Sequence, residues 1–449
     1  MDFSATIYSE VTMKIKAAVL LALAMILSFI TPVFALPNIE LVSETAVLIN
    51  GETGQILYDK NMHQKMFPAS ITKVMTGMLA LENAKPEDII TMSHYAVFSI
   101  GRGTSHIALD ENEQVTVEQA MYALAIESAN DAANGLAEHV AGSTEDFANM
   151  MNEKAKECGA LNTHFVNPHG LHDEEHYTTA YDMARITMAA IKTEGFNTYF
   201  GATKYEIPPT NKQEETRYLR SSNDLLKGQY DCEGIFMSKN GWTGEAKNTL
   251  ITAAERNGVT LIAVVMKSGK TEEKFEDTAK LLNWGFDNYK AHTISGEEIA
   301  SNAPSTLDIG EEGDKVYLGT FDAPDVTIML PKDVSSDKIS FSFTDIKVDE
   351  AQTAASTEYT ILLDGKEIEG IAKGELAAEI SIEKPASADV DISVPGENNI
   401  KINPVVVGII IAVVVVAAIL IGLYIRLLKI RKRNRARRAA RRIERMRGR

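Results

Sequence analysis

Segments that favour strands and segments that favour helices occur in separate blocks, and this order limits the folds open to the chain. Two strand-like runs, Thr45 to Asn50 and Gln55 to Tyr58, surround a turn-forming stretch. A mostly helical region follows, with a helix opened by a capping box of Thr116 and Gln119 and a break at the turn-rich Asn167-Pro168-His169-Gly170. Three further strand-like runs and a closing helix from Glu272 to Tyr289 complete this part. Helices packed on an antiparallel sheet give an α+β domain, which we assign to residues 36–290.

A second domain is predicted beyond this closing helix. Residues 291–395 contain short runs rich in Val, Ile and Thr, and Asp364-Gly365 is a typical hairpin turn. These features favour a small all-β domain. Residues 396–404 are expected to form a short stem.

The two ends of the chain predict export and membrane attachment. Lys14 and Lys16 precede an apolar run that ends in Val33-Phe34-Ala35, the layout of a secretory signal peptide over residues 1–35. Residues 405–425 carry no charge and are long enough to cross roughly 30 Å of hydrocarbon as a transmembrane helix. The basic residues of 426–449 then predict a cytoplasmic tail, with the catalytic domain on the extracellular face of a bacterial membrane.

Charge and cysteine content narrow the choice of partners. The formal net charge is −17, but residues 426–449 alone carry +12, so the rest of the chain carries −29. Such an acidic body argues against nucleic acid as a partner. Cys158 and Cys232 both lie in the exported part, where a disulfide is permitted, but the pattern does not show whether they pair.

The residues from Pro68 to Thr76 carry the strongest candidate chemistry. Ser70 and Lys73 are three residues apart at the start of a predicted helix, so the amine can reach the hydroxyl. Pro68 marks the helix entry, and the Ser70 N–H is free to stabilise an oxyanion. An apolar stripe buries this helix, and burial lowers the pKa of Lys73 so that it can accept a proton. The alternative, a serine near a solvated lysine, is the better reading of this motif alone.

Two further motifs suit this serine. Ser128-Ala129-Asn130 ends a predicted helix, and its alternative reading is a capping box, Ser128 with Asp131, that opens the next helix. Lys239-Asn240-Gly241 lies on a predicted strand, and its alternative is an edge lysine before a tight turn. Together, in the order Ser-x-x-Lys, Ser-x-Asn, Lys-x-Gly, the three motifs are the signature of active-site serine penicillin-recognising enzymes.

Around these motifs the chain resembles the low-molecular-mass penicillin-binding proteins, which are serine-type D-alanyl-D-alanine carboxypeptidases. The resemblance runs from about Val42 to Tyr289, and the β domain and C-terminal anchor also fit the layout of that family. It rests on the following stretches: Phe67 to Thr76, Glu127 to Ala133, Thr163 to Leu171, His176 to Ala184, and Lys239 to Thr243 with Glu245-Ala246.

The resemblance implies a role for each matching residue. Ser70 attacks the carbonyl between two D-alanines of a peptidoglycan stem peptide, Lys73 takes its proton, and Ser128 relays a proton to the leaving amine. The other implied residues bind substrate: Asn130, Lys239, Asn240, Gly241, Trp242 and Thr243, with the Trp242 N–H as the second oxyanion donor. A β-lactam would acylate Ser70 in place of the substrate. The resemblance implies neither a cofactor nor a metal.

Asn240 departs from the family, which usually has Thr or Ser at this position. An asparagine amide can also donate a hydrogen bond to a substrate carboxylate, with a different geometry. Because of this departure, the alternative that the chain is a low-activity or non-catalytic wall-binding protein stays open. The alternative enzyme is a serine β-lactamase, which needs a carboxylate-activated water, often within Glu-x-x-Leu-Asn. Glu157 to Asn162 has one residue too many for that element.

The histidine and methionine clusters have simpler interpretations than metal or ligand binding. His169, His172 and His176 lack metal-ligand spacing, so we expect a solvated polar loop near the cleft. The methionines around the Ser70 helix are expected to fill the core.

Overall fold

The computed structural model describes residues 37–309, 314–318, 321–348, 354–371 and 373–381, which belong to one compact unit. The predicted signal peptide, stem, transmembrane helix and basic tail lie outside these residues. Among the described residues, no helix is both long enough and apolar enough to cross a bilayer.

The elements up to residue 288 form the part of the molecule that holds the predicted motifs. In chain order they are β1 (Thr45–Asn50), β2 (Ile56–Lys60), a 3-10 turn (Ala69–Thr72), α1 (Lys73–Asn83), β3 (Ile89–Thr91), α2 (His94–Phe98), β4 (Gln114–Thr116), α3 (Val117–Tyr122), a π-helical turn (Ala123–Glu127), α4 (Asn130–Ala141), α5 (Thr144–Glu157), α6 (Ala180–Ala190), α7 (Phe196–Phe200), β5 (Lys204–Ile207), β6 (Arg217–Arg220), β7 (Ile235–Thr243), β8 (Lys247–Arg256), β9 (Val259–Ser268) and α8 (Thr271–Asn288).

The remaining described elements are mostly strands. They are β10 (Tyr289–Ile294), α9 (Gly296–Asn302), β11 (Thr306–Ile309), β12 (Asp314–Leu318), β13 (Val326–Pro331), a 3-10 turn (Ser336–Lys338), β14 (Ile339–Phe343), β15 (Lys347–Val348), β16 (Ala354–Leu363), β17 (Lys366–Glu367) and β18 (Gly374–Ser381).

A five-stranded antiparallel sheet with the order β2-β1-β9-β8-β7 organises the first part. Side chains alternate across it, as the period of two requires. On β8, Ile251 and Ala253 face the cluster that the helical block covers, whereas Leu250 and Ala254 face the cluster under α8. The predicted α+β arrangement is observed, and β7 forms an edge of the sheet.

Helix α1 passes through the middle of the helical block. Val74, Met75 and Met78 are fully buried in the larger hydrophobic cluster, as the apolar pattern predicted. A helix that is apolar on most sides has few alternative positions, because any rotation would expose part of its surface to water. This packing fixes the direction of the preceding turn, where Ser70 lies.

Two local predictions needed correction. The predicted break in the helical region after α5 is wider than Asn167-Pro168-His169-Gly170, since residues 158–179 contain no helix. The predicted all-β region contains α9, because Ser295 accepts a hydrogen bond from the Glu298 N–H and caps a short helix. The region after residue 290 has a separate hydrophobic cluster, which includes Ile294 and Ile328. The predicted domain boundary near residue 290 stays a prediction.

The turn predicted at Asp364-Gly365 is confirmed. Both residues have positive φ angles, 53° and 75°, and they join the paired strands β16 and β17.

Candidate active site

Ser70 and Lys73 lie together at the point where the 3-10 turn passes into α1. The Lys73 Nζ atom is 3.2 Å from the Ser70 Oγ atom. Lys73 is fully buried although it is a lysine. Burial lowers its pKa well below the usual value, and the nearby cationic Lys239 lowers it further. The predicted direction of this shift is therefore confirmed.

Two further hydrogen bonds of the Lys73 amine determine which part of it faces Ser70. Nζ donates to the Asn130 Oδ1 atom at 2.7 Å and to the His169 carbonyl at 2.6 Å. A neutral amine has two protons and one lone pair. Because these two acceptors take both protons, the lone pair is left for the Ser70 hydroxyl. This arrangement is that of a general base.

The turn that carries Ser70 is held in an uncommon backbone conformation. Ala69 has a φ of 51°, in the left-handed region that a non-glycine residue enters at a cost of order 1–3 kcal/mol. Its carbonyl accepts a hydrogen bond from the Thr72 hydroxyl at 2.8 Å. Gly170 packs so closely that an added Cβ would lie 1.9 Å from the Ala69 oxygen. The surrounding contacts thus hold the turn in place.

His169 and His176 are buried, so the expectation of a solvated polar loop is wrong for them. The Val166 N–H donates to His176 Nδ1, and the other ring nitrogen is 2.9 Å from the Thr72 hydroxyl. His176 is therefore a neutral ring that donates through Nε2. Burial lowers its pKa to about 3. His176 thus supports the Ser70 turn through Thr72, whereas His172 and residues 173–175 are exposed, as expected.

Ser128 faces this pair from a second sharp turn. Ser128 directly follows the π-helical turn and has a φ of 58°, and α4 begins at Asn130 without a side-chain cap. The alternative reading of Ser128 as a helix cap is therefore wrong. The Asn130 N–H donates to the Ser105 carbonyl instead, at 2.9 Å, which turns the Asn130 side chain toward Lys73.

Lys239 completes the group from the edge strand β7. Its Nζ atom donates to the Ser128 hydroxyl at 3.0 Å and to the Asn240 carbonyl at 2.8 Å. The side chain is 1% exposed. Burial lowers the pKa of Lys239 to about 7, with a smaller contribution from the cation Lys274. A bound carboxylate would raise this pKa again, because it favours the charged form.

β7 passes directly beside the serine, and a glycine allows this approach. A Cβ added to Gly241 would lie 2.7 Å from the Ser70 backbone nitrogen and 2.6 Å from the Thr249 hydroxyl. Both are too close for any larger residue. Trp242 follows with its side chain 65% exposed, and the Thr243 hydroxyl accepts from the Ala246 N–H at 3.0 Å.

The Asn240 side chain is half-buried and, within the described residues, forms no hydrogen bond. Its carbonyl is used by Lys239, but its amide remains available at the edge strand beside the cleft. A carboxylate bound at the Lys239 ammonium group would be a suitable partner for this amide.

The structure brings together the predicted residues Ser70, Lys73, Ser128, Asn130 and Lys239. The sequence did not reveal the part played by the His169 carbonyl, because a backbone acceptor has no side-chain signature. The turn-rich Asn167-Pro168-His169-Gly170 was the available signal.

Neither cysteine forms a hydrogen bond to the residues of this group. Both thiols are free, and burial raises the pKa of each. Over the described ranges, no cluster of His, Cys, Asp and Glu side chains is placed to hold a metal ion.

Comparison with known sequences identifies the family. The profile of the D-alanyl-D-alanine carboxypeptidase family of peptidases matches residues 33–270. The carboxypeptidase DacF of Bacillus subtilis is 36% identical over 293 residues, which cover 63% of this chain and 73% of the relative. The carboxypeptidase DacD of Escherichia coli is 31% identical over 282 residues, or 59% of this chain and 70% of the relative.

Solved structures give the same result. Penicillin binding protein 5 from Haemophilus influenzae matches with a TM-score of 0.63 and 26% identity, covering 77% of this chain and all of the other. A variant of a Streptomyces DD-transpeptidase matches with a TM-score of 0.52 and 28% identity, covering 56% of this chain and all of the other. The resemblance inferred from the motifs is confirmed, and the chain belongs to the family of serine-type D-alanyl-D-alanine carboxypeptidases.

Proposed function

We propose that this protein removes the terminal D-alanine from peptidoglycan stem pentapeptides through an acyl-enzyme on Ser70. One observation carries the proposal: the buried Lys73 amine commits its protons to Asn130 and His169 and lies 3.2 Å from the Ser70 hydroxyl. Family membership supports the choice of a peptide ending in two D-alanines. Removal of this residue limits cross-linking of the wall, because cross-linking uses the bond between the two terminal D-alanines.

In the acylation step, the Ser70 oxygen attacks the carbonyl between the two D-alanines while its proton passes to the Lys73 Nζ atom. The oxyanion is stabilised by the Ser70 N–H and the Trp242 N–H. Preorganised donors of this kind contribute about 10²–10³ in rate each. As the C–N bond breaks, the proton that Lys73 accepted passes through the Ser128 hydroxyl to the leaving amine, so that Lys73 is neutral again and Ser128 keeps a proton. The hydrogen bond from Lys239 to Ser128 fixes the orientation of this hydroxyl.

In the second step, water attacks the acyl-enzyme and releases the shortened peptide. Lys73 removes a proton from the water, and the Ser70 oxygen takes a proton as it leaves. A penicillin enters the same path, but its leaving group stays attached and hinders the water. The adduct on Ser70 is therefore long-lived.

The substrate carboxylate is assigned to the end of the cleft that Lys239 occupies. Lys239 attracts the anion, and the Asn240 amide donates to it in place of the hydroxyl found in relatives. Gly241 lets the peptide and Ser70 approach β7 closely, and Thr243 continues the same edge. Asn130 holds the peptide from the opposite wall.

We further propose that the enzyme acts outside the cell as a single-pass membrane protein. Residues 1–35 would direct export, residues 405–425 would anchor the chain, and the basic tail 426–449 would stay in the cytoplasm. Protease added to intact cells should then digest the catalytic domain and spare an epitope placed at the carboxyl terminus. Protection of the catalytic domain would contradict this topology.

The test of the activity is release of D-alanine from an N-acetylated pentapeptide by the full-length protein. The wild type should release one D-alanine per peptide, and Ser70→Ala should release none. Equal release by the two proteins would overturn the proposal. The lifetime of the penicillin adduct separates the alternatives, because a β-lactamase would clear it within milliseconds whereas this enzyme should hold it for far longer.

A further inference from the structure

Thr249 connects strand β8 to the turn that carries the nucleophile. Its hydroxyl donates a hydrogen bond of 2.9 Å to the carbonyl of Pro68, which is two residues before Ser70 and 181 positions away from Thr249. The Thr249 side chain is fully buried. Thr249 takes no part in the proposed reaction, yet it holds the backbone from which Ser70 attacks.

Thr249 reaches this turn because its neighbour across the sheet has no side chain. Thr249 pairs with Gly241 on the edge strand β7. A Cβ added to Gly241 would lie 2.6 Å from the Thr249 hydroxyl oxygen and 2.7 Å from the Ser70 nitrogen. The hydroxyl group and the nitrogen of the nucleophile therefore both lie against the same point of β7.

A β-bulge in the neighbouring strand β9 lies opposite Thr249. The pairing of β8 with β9 shifts by one residue between Asn248 and Leu250, so β9 contains one extra residue at this point. Lys267, within the bulge, has a φ of 60°, a left-handed conformation that is unfavourable for a residue with a Cβ. Bulges redirect side chains and are frequent beside active sites. We interpret this bulge as a feature that directs the Thr249 side chain toward the turn.

Asn248, which precedes Thr249, is anchored on the opposite face of the sheet. It pairs with Trp242 across β7, and its side-chain amide donates to the Ser268 carbonyl at 3.1 Å. Its side-chain oxygen accepts from the hydroxyl of Thr271, at the start of α8, at 3.3 Å. Consecutive residues of a strand point to opposite faces. This part of β8 is therefore held to α8 on one face and to the nucleophile turn on the other.

We propose that Thr249 is a positioning residue that sets the separation of the two oxyanion donors, the N–H groups of Ser70 and Trp242. The first donor belongs to the turn that Thr249 holds, and the second belongs to β7, which pairs with the strand of Thr249. The hydroxyl group thus connects the two donors through β8. Donors stabilise an oxyanion best when they are in place before the charge develops. This inference rests on the proposed function and adds a positioning residue to the same reaction.

Thr249→Val tests the inference, because valine has a similar shape but lacks the hydroxyl group. In the full-length protein, the limiting rate of acylation by penicillin should fall about 10–10²-fold, as expected for misplaced donors. The dissociation constant of the complex before acylation should stay near the wild-type value, since Lys239 still attracts the carboxylate. Thr249→Ser keeps the hydroxyl group and should restore most of the rate. Thr249→Ala lacks the hydroxyl group, adds no bulk and should show the same loss as Thr249→Val.

Thr187→Val is the matched control. Thr187 is a fully buried threonine on α6, and its hydroxyl donates to the Met183 carbonyl at 2.7 Å. Valine at this position removes a comparable buried hydrogen bond that does not involve the Ser70 turn. The melting temperature should fall by a similar amount in Thr187→Val and Thr249→Val, whereas the limiting rate of acylation should stay unchanged in Thr187→Val.

Three results would overturn the inference and leave the proposed function intact. They are an unchanged limiting rate in the two variants without the hydroxyl group, an equal loss of rate in Thr249→Ser, and an equal loss of rate in Thr187→Val. Failure of the wild type to form any penicillin adduct would instead overturn the proposed function, and this inference with it.

Discussion

The Lys73 amine nitrogen and the His169 carbonyl oxygen are joined by a hydrogen bond of 2.6 Å, although the two residues are 96 positions apart. A carbonyl can only accept, so this contact fixes one proton of the amine in a direction away from Ser70. The Asn130 oxygen takes the second. In the proposed mechanism, the segment 158–179 thus orients the base through its backbone.

Lys73→Met tests whether this amine is the proton acceptor. Acylation of Ser70 by penicillin should fall about 10²–10⁴-fold, the usual contribution of a general base. Stopped-flow or gel-based acylation kinetics measure the effect. Lys85→Met changes an exposed lysine just beyond the same helix and should acylate at the wild-type rate. Comparable rates for Lys73→Met and the wild type would exclude Lys73 as the base.

Gly241→Ala tests the close approach of β7 to the nucleophile. The added Cβ would lie 2.7 Å from the Ser70 nitrogen, so the strand or the turn must move. Since the oxyanion donors depend on this spacing, acylation should fall about 10²–10³-fold. Gly244→Ala is the matched control, because an added Cβ there meets nothing within 4 Å. Full activity of Gly241→Ala would show that the approach is not needed.

The lowered pKa of Lys239 predicts how the rate of acylation depends on pH. Its pKa is about 7, so its positive charge is lost as the pH rises through that value. The second-order rate of acylation by penicillin should then fall about tenfold per pH unit above the pKa, because the carboxylate loses its partner. A penicillin methyl ester carries no carboxylate and should lack this decline. The same decline with both compounds would argue against Lys239 as the carboxylate site.

The lowered pKa of His176 predicts how the free energy of unfolding depends on pH. Its folded-state pKa is about 3, below the ordinary 6.5, so the unfolded chain binds the proton more readily. The stabilisation is fully present above pH 6.5 and is lost as the pH falls toward 3, at roughly 1.4 kcal/mol per pH unit.

Chemical unfolding between pH 7 and 4 measures this loss. His176→Gln should flatten the curve, leaving the part due to buried His169, whose pKa burial also lowers. His63→Gln alters an exposed ring and should leave the slope unchanged. An identical slope in His176→Gln and the wild type would contradict this account of the buried ring.

Local patterns predicted the parts of the site that depend on short-range geometry. The spacing of Ser70 and Lys73 follows from the helical period, and the capping box of Thr116 and Gln119 is present as predicted. Burial of α1, and with it the lowered pKa of Lys73, followed from the apolar pattern. In each case the interacting residues are close in sequence.

Contacts between distant segments could not be predicted in the same way. Ser128 and Asp131 form a good helix-capping pattern, yet the bond from Asn130 to the Ser105 carbonyl sets a different turn. The polar character of the histidine loop suggested solvent, but His176 is buried because it bonds to Thr72. Tertiary partners decided these positions, and a sequence motif alone does not reveal them.

Covalent labelling of the full-length protein tests the central claim most directly. After incubation with ampicillin, mass spectrometry should find one drug molecule per chain, attached to the peptide that contains Ser70, and no label in Ser70→Ala. Wild-type protein that takes up no label, or a label located on another residue, would contradict the account.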